Sequence, residues 1–228
     1  VLVVGGGMLG LATAAACAQA GLGSVVVLER DRLGSGASGG AAGLLMPEAH
    51  VGVDPPQLVN LGRMSLIAWR ELERAWPGGV GLIDLDWLGV ADDAAHFGPA
   101  LAANTTRLTL EQVTGLVPGL ARPTPGIFVR QQARVNPLRA LARLAAGLPC
   151  VATGVDVQAI TIRGDGIASV ATSSGEFQPG AVVFATGTPP RVAGLELHLP
   201  AGEGKGHIFA TEPTSLRLPG AVASVATS

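Results

Sequence analysis

The chain has 228 residues, of which 48% are hydrophobic and 14% charged, and its net charge is −2. This composition excludes a disordered protein and, without any basic run, argues against nucleic acid as a partner. Two cysteines, Cys17 and Cys150, are too few and too far apart for a disulfide scaffold, so we expect a reduced, cytoplasmic setting.

Three elements are predicted in the first thirty residues. An apolar run at residues 1–4 predicts a strand buried on both faces, and residues 25–28 predict a second one. Between them, residues 8–20 are rich in Ala and Leu without Pro and predict a helix. Residues 9–28 are the most membrane-like stretch, but polar and glycine residues interrupt them, so we predict no transmembrane segment.

A G-x-G-x-x-G motif, formed by Gly5, Gly7 and Gly10, lies between the first strand and the helix. Glycine is common here (33 of 228 residues), so the motif gains weight only from its β-α-β context. Gly5 allows the tight turn, Gly7 lets the backbone approach a pyrophosphate, and Gly10 lets the helix pack closely. Glu29, after the second strand, is placed for ribose hydroxyls, which favours FAD or NAD over NADP.

A second stretch of small residues covers 34–43 and offers backbone amides to phosphates or to a flat ring. A plain NAD-binding domain has no need of such a stretch at this place. It also contains a G-x-S-x-G around Ser38, which marks the nucleophile of serine hydrolases when it directly follows a strand. No strand is predicted just before it, so we do not favour a hydrolase.

The middle of the chain predicts two further helices and two strands. A helix is expected from Asp54, as the capping residue, to Trp76, with its apolar stripe buried in a core. That stripe consists of Leu61, Met64, Ala68, Leu72 and Ala75. Strands are predicted at 81–90 and 126–131, a capping box at 109–112, and a helix from Asn136 to Gly147.

From residue 151 the period of the pattern changes to two, which predicts strands at 157–163, 167–173 and 181–185. The last is wholly apolar, so we place it in the same parallel sheet as the first strand. The predicted fold is α/β. We expect a cofactor domain at 1–80 and 134–196, and a smaller, incomplete, mainly β substrate domain at 81–133 and 197–228.

Several of these segments together resemble the D-amino-acid oxidase (DAO) family of flavoenzymes, nearest to its glycine oxidase and amino-acid oxidase branch. They are "VLVVGGGMLG", "VVVLER", "GASGGAAGLL", "RVNPLRALARLA" and the stretch from "VATGVDV" to "VVFATG", in the family's order. The resemblance implies a Rossmann-like FAD-binding domain, with a parallel sheet and a three-stranded β-meander, and a mainly β substrate domain.

The resemblance also implies which residues would contact FAD. Gly5, Gly7, Gly10 and Ser38 would meet the pyrophosphate, Glu29 the ribose, and Arg30 with Val157 the adenine end. The flavin would lie along Ala42, Gly43 and Leu44. The dinucleotide would be covered by Ala185, Thr186 and Gly187. Some relatives bind flavin covalently through a His where this chain has Gly40, so non-covalent FAD is expected.

The activity that the resemblance implies is oxidation of the C–N bond of an amino acid or secondary amine. Hydride would pass to the flavin N5, the imine would be hydrolysed, and oxygen or another acceptor would take the electrons. No catalytic residue is assigned, because the family's substrate-binding Arg and Tyr belong to a later segment and this chain has no Tyr. We therefore expect a partial chain, and allow for a homo-oligomer.

Three alternatives stay open from the sequence. One is an FAD enzyme of another reaction, such as a glycerol-phosphate-type dehydrogenase or an RNA-modification oxidase domain. The others are an NAD-dependent dehydrogenase and a non-catalytic flavin-binding module. No metal site is expected, because His50, His96, His198 and His207 show no metal-ligand spacing.

Overall fold

The structure is a computed structural model that describes residues 1–51, 53–93, 104–120, 122, 124–196, 204 and 206–224. It divides into two compact units. The first comprises Val1–Ala42 and Pro137–Phe209, and the second comprises Gly43–Asn136 and Ala210–Ser228. Residues 43–80, which the sequence analysis assigns to the cofactor domain, thus group with the second unit. The functional assignment of the two domains stays a prediction.

The described residues form α-helices, a short 3₁₀ turn and β-strands. The helices are α1 (Met8–Gln19), α2 (Pro56–Ala75), α3 (Leu110–Leu116) and α4 (Pro137–Ala146), and a 3₁₀ turn covers Pro47–His50. The strands are β1 (Leu2–Val4), β2 (Val26–Glu29), β3 (Leu44–Leu45), β4 (Ile83–Val90), β5 (Thr105–Leu108), β6 (Gly126–Arg134), β7 (Val151–Thr153), β8 (Val157–Arg163), β9 (Gly166–Thr172), β10 (Gly175–Phe177), β11 (Val182–Phe184) and β12 (Ala221–Ser224).

The first unit contains a parallel sheet in the order β11-β1-β2-β7 and an antiparallel meander in the order β10-β9-β8. The predicted α/β fold is therefore confirmed, including the parallel pairing of β11 with β1. The third meander strand, β10, lies between the predicted strands 167–173 and 181–185, where the residue pattern predicted no strand. Gly175 pairs with Thr172 across a tight hairpin, and Phe177 packs on the core, which makes this short segment a strand.

The core of the first unit lies between the parallel sheet and the meander. Leu2, Val4 and Leu28 from the sheet pack with Val157 and Val170 from the meander. These side chains are nearly or fully buried, and burying each stabilises the unit by roughly 1.5–3 kcal/mol. Because the strands carry this core, their carboxyl ends are held at one edge, where a ligand site of an open α/β sheet is expected.

No helix in the described ranges is long and apolar enough to cross a membrane. The membrane-like stretch at 9–28 is divided between α1, which ends at Gln19, and β2. Gly21 and Gly23, both with positive φ, lie in the connection and allow the chain to turn there.

The second unit is built on a mainly antiparallel sheet in the order β12-β4-β6-β3, with β5 also paired to β6. One core cluster packs Met46, Trp87 and Val129, and a second packs Leu88 with Val113. The predicted capping box is confirmed at the start of α3, where Thr109 and Gln112 exchange hydrogen bonds.

The predicted burial of the apolar stripe on α2 is wrong. Leu61 and Met64 are 60% and 67% exposed, whereas Val59 and Leu66 are the buried residues of this helix. Asp54 is not the cap either, because Pro55 occupies the cap position and the Asp54 carboxylate lies 2.9 Å from His50 Nδ1.

Polar groups explain why α2 takes this orientation. Arg63 donates two hydrogen bonds of 2.7 Å to the Glu48 carboxylate, which is largely buried. The carboxylate raises the pKa of Arg63 by hydrogen bonding. Arg70 donates to Asp84 and to the backbone oxygen of Gln131. Turning the opposite face inward would break these charged hydrogen bonds and expose Leu66, so the ion pairs and the burial of Leu66 account for the packed face.

Substitutions on the two faces of α2 should therefore differ in cost. Leu66→Ala should lower the free energy of unfolding by about 2–4 kcal/mol because it leaves a cavity. Leu61→Ser should change it by less than about 0.5 kcal/mol because the side chain already contacts solvent. Urea denaturation followed by circular dichroism measures both. A cost for Leu61→Ser equal to that of Leu66→Ala would show that the stripe is buried.

Candidate functional site

The turn between β1 and α1 leaves no room for side chains. Gly5 has a φ of +115°, and its amide donates to the backbone oxygen of Leu28 at 2.8 Å. A Cβ built on Gly10 would overlap the backbone oxygen of Gly5, and one on Gly5 would overlap the backbone of Ala185. These glycines therefore allow the helix to start directly against the sheet edge.

The amino terminus of α1 has its first amide bound by a side chain from another loop. Gly7 occupies the cap position and supplies no side-chain bond, while Met8 N donates to Ser38 Oγ at 2.9 Å. A Cβ on Gly7 would come within 3.0 Å of the same hydroxyl oxygen. Because the helix carries no acidic group in its first turn, its positive dipole end is available to an anion.

The second glycine stretch repeats the geometry of the first. Gly34 has a φ of +71°, and a Cβ on Gly39 would overlap the backbone oxygen of Gly34, just as Gly10 approaches Gly5. The amide of Gly34 reaches the backbone oxygen of Gly6 at 3.4 Å. The two turns therefore lie against each other, and this contact places Ser38 over the start of α1.

The Glu29 carboxylate lies at the carboxyl end of β2 and is held by two backbone amides. Gly6 N donates to Oε2 at 2.7 Å and Asp31 N donates to Oε1 at 2.8 Å. A carboxylate oxygen can accept more than one hydrogen bond, so both oxygens keep capacity for the hydroxyl groups of a ribose.

These elements surround a cavity of about 790 Å³ in the first unit. Its volume falls in the range of cofactor sites. Nine of the predicted cofactor residues line it, namely Gly5, Gly7, Glu29, Arg30, Ser38, Val157, Ala185, Thr186 and Gly187. Four others, Gly10, Ala42, Gly43 and Leu44, are not among its lining residues. Gly10 instead packs against Gly5 and Ala185 beneath the cavity.

The sequence analysis missed part of the lining. Asp156 and the residues Thr188 to Val192 also face the cavity. Asp156 is adjacent to the predicted Val157, and the second group directly follows Gly187 in the chain. Continuing the predicted segments by a few residues would have included both groups.

No group of three or more His, Cys, Asp or Glu that could hold a metal ion occurs in the described part of the chain. His50 is paired with Asp54, and His207 stacks with Phe209 at a ring distance of 6.4 Å. His96 and His198 lie outside the described residues.

The amino terminus of α1, the Ser38 hydroxyl, the Glu29 carboxylate and the two glycine turns fit the ADP half of a dinucleotide. With this cavity, the fold is that of a dinucleotide-binding α/β protein. The sequence matches the family of FAD-dependent oxidoreductases over residues 1–226, and the chain belongs to this family. Its cofactor is therefore FAD, as the resemblance implied, and the alternative of an NAD-dependent dehydrogenase is dropped.

Solved structures of two amino-acid-oxidising enzymes and a deaminase share this fold. The glycine oxidase of Geobacillus kaustophilus matches with 25% identity and a TM-score of 0.69, over 81% of this chain and 54% of its own. NikD, an unusual amino acid oxidase of nikkomycin biosynthesis, matches with 26% identity and a TM-score of 0.62, over 81% and 50%. The L-amino acid deaminase of Proteus myxofaciens matches with 22% identity and a TM-score of 0.68, over 81% and 44%.

The chain spans about half the length of these solved structures. A search of curated protein sequences found no significant match. The activity, substrates and partners of the whole protein are therefore taken up as proposals below.

The cavity geometry predicts that Gly7→Val abolishes FAD binding while the fold persists. A branched side chain would fill the space beside Ser38 Oγ, where the pyrophosphate is expected, without entering the core. The matched control is Gly180→Val, because nothing lies within 4 Å of a Cβ there. Equilibrium binding of FAD by fluorescence, with circular dichroism as the folding check, measures the effect. Unchanged affinity of Gly7→Val would place the pyrophosphate elsewhere.

Proposed function

We propose that the protein oxidises the C–N bond of an amino acid or secondary amine with non-covalent FAD. The observation that carries this proposal is the likeness to two amino-acid-oxidising enzymes at 25% and 26% identity, one a glycine oxidase and the other an amino acid oxidase. A second line of support is the cavity, because its glycine turns and the Glu29 carboxylate suit the ADP half of FAD.

The residues that would hold the cofactor have distinct parts in its binding. The amino terminus of α1 and the Ser38 hydroxyl would bind the pyrophosphate, because both supply hydrogen bonds that need no rearrangement of the sheet edge. Glu29 would bind the ribose. When bound, FAD supplies a two-electron acceptor that oxygen or another oxidant regenerates.

Non-covalent attachment is part of the proposal because Gly40 stands where the family resemblance places the His that bonds to flavin in some relatives. Gly40 has no side chain that could bond to the flavin, and a Cβ there would meet only Ala37 O at 4.0 Å. Retention of the cofactor would therefore rest on hydrogen bonds and burial alone, so denaturation should release free FAD.

Two of the three residues predicted to run along the flavin, Gly43 and Leu44, belong to the second unit. Leu44 pairs with Arg134 and Leu45 with Ala133 on the neighbouring strand, and Val135 N donates to Gly43 O at 2.8 Å. This pairing would hold the backbone of the segment rigid.

The test is reduction of the FAD-loaded whole protein by candidate substrates without oxygen. Glycine, sarcosine, proline and D-amino acids are compared with matched amines that lack the carboxylate. We expect at least one amino acid to bleach the visible flavin band, followed by peroxide release or dye reduction when an acceptor is added. A loaded protein that no amino acid bleaches, but that another class of substrate does, would contradict the proposed reaction.

A further inference from the structure

The segment that follows β11 crosses from the parallel sheet to the meander at the cavity. Before it, Ala185 N donates to Val4 O at 2.8 Å, in the parallel sheet. After it, Ala193 N donates to Gln158 O at 3.1 Å and Ile160 N donates to Ala193 O at 2.8 Å. We name residues 186–192 the crossing segment.

The crossing segment is stiffened by its own residues. Thr186 Oγ1 donates to the backbone oxygen of Thr188 at 2.6 Å, and Gly187 has a φ of +76°. Pro189 and Pro190 follow, and their rings fix the backbone φ of two successive residues. A chain fixed in this way presents the next side chain, Arg191, at a defined place on the cavity wall.

Arg191 lines the same cavity as the predicted adenine residue Val157. It lies two residues before Ala193, which forms an isolated parallel bridge to Ala159. Arg30 also lines the cavity. The Arg30 guanidinium pairs with Asp31 at 3.4 Å, whereas the Arg191 guanidinium has no ion pair or hydrogen bond with any described residue.

The cavity lacks the usual partner of an adenine ring. None of its described lining residues is aromatic, so the guanidinium groups of Arg30 and Arg191 are its planar cations. A guanidinium stacks on aromatic faces, and a cation over such a face is attracted by the ring quadrupole. The phosphates are expected at Gly5, Gly7 and Ser38, which also line the cavity.

We propose that Arg191 is an adenine-recognition residue, whose planar guanidinium covers the base while the Val157 backbone meets its edge. The crossing segment would then favour ligands that contain adenine, because its rigid backbone holds this guanidinium in place. The proposal depends on nucleotide binding in the cavity and not on which substrate the enzyme oxidises, so it can fail while the proposed reaction holds.

The test compares ligand affinities of the chain by calorimetry, with adenosine, ADP, FAD and inorganic pyrophosphate as probes. Arg191→Ala should weaken adenosine, ADP and FAD binding by a common factor of roughly tenfold and leave pyrophosphate unchanged. Arg191→Lys should recover only part of the loss, because it restores the charge but not the plane. The matched control is Arg163→Ala, an exposed arginine at the end of β8 that does not line the cavity.

Two results would overturn the proposal. One is unchanged adenosine affinity in Arg191→Ala, with circular dichroism like that of the wild type. The other is full recovery in Arg191→Lys with losses confined to the phosphate-bearing probes, since that pattern assigns the residue to phosphate charge. Loss of pyrophosphate binding together with adenosine binding would show general disruption of the cavity and would also count against it.

Discussion

The close approach of Gly10 to the carbonyl of Gly5 is the contact on which the site depends. It allows no Cβ, so α1 can begin directly at the end of β1 and direct its free amides along the sheet edge. A longer connection would move the helix dipole away from any anion bound there. Gly5 also has a positive φ and lies against the backbone of Ala185. Both features require glycine, and together they let the end of β11 approach the same turn.

A second set of contacts ties the predicted adenosine end of the cavity to this turn. The Glu29 carboxylate binds Gly6 N, and the Glu29 backbone oxygen accepts from Val155 N at 3.0 Å. One residue thus links the glycine turn, the end of β2 and the start of β8. Because those links are short hydrogen bonds, the positions of Asp156 and Val157 on the cavity wall follow from the position of β2.

The β-α-β unit could be predicted because its signals are local. Buried parallel strands are continuous apolar runs, and glycine spacing marks the turn. The buried face of α2 could not be predicted. An apolar stripe identifies the buried face only if no polar contacts hold the opposite face against the protein. Here Arg63 and Arg70 bind Glu48 and Asp84, which are remote in sequence, and they turn the stripe outward. Thr188 to Val192 of the crossing segment were missed because the predicted segment stopped at Gly187, although these residues directly follow it in the chain and line the cavity.

The central claim is that the glycine turn after β1 binds the pyrophosphate of FAD through its backbone. Amide nuclear magnetic resonance of the chain, titrated with ADP, tests it most directly because each backbone N–H is observed separately. The account predicts the largest shifts at Gly5, Gly7 and Met8, with further shifts at Ser38 and Val157. Saturable shifts confined to residues outside the cavity would contradict it.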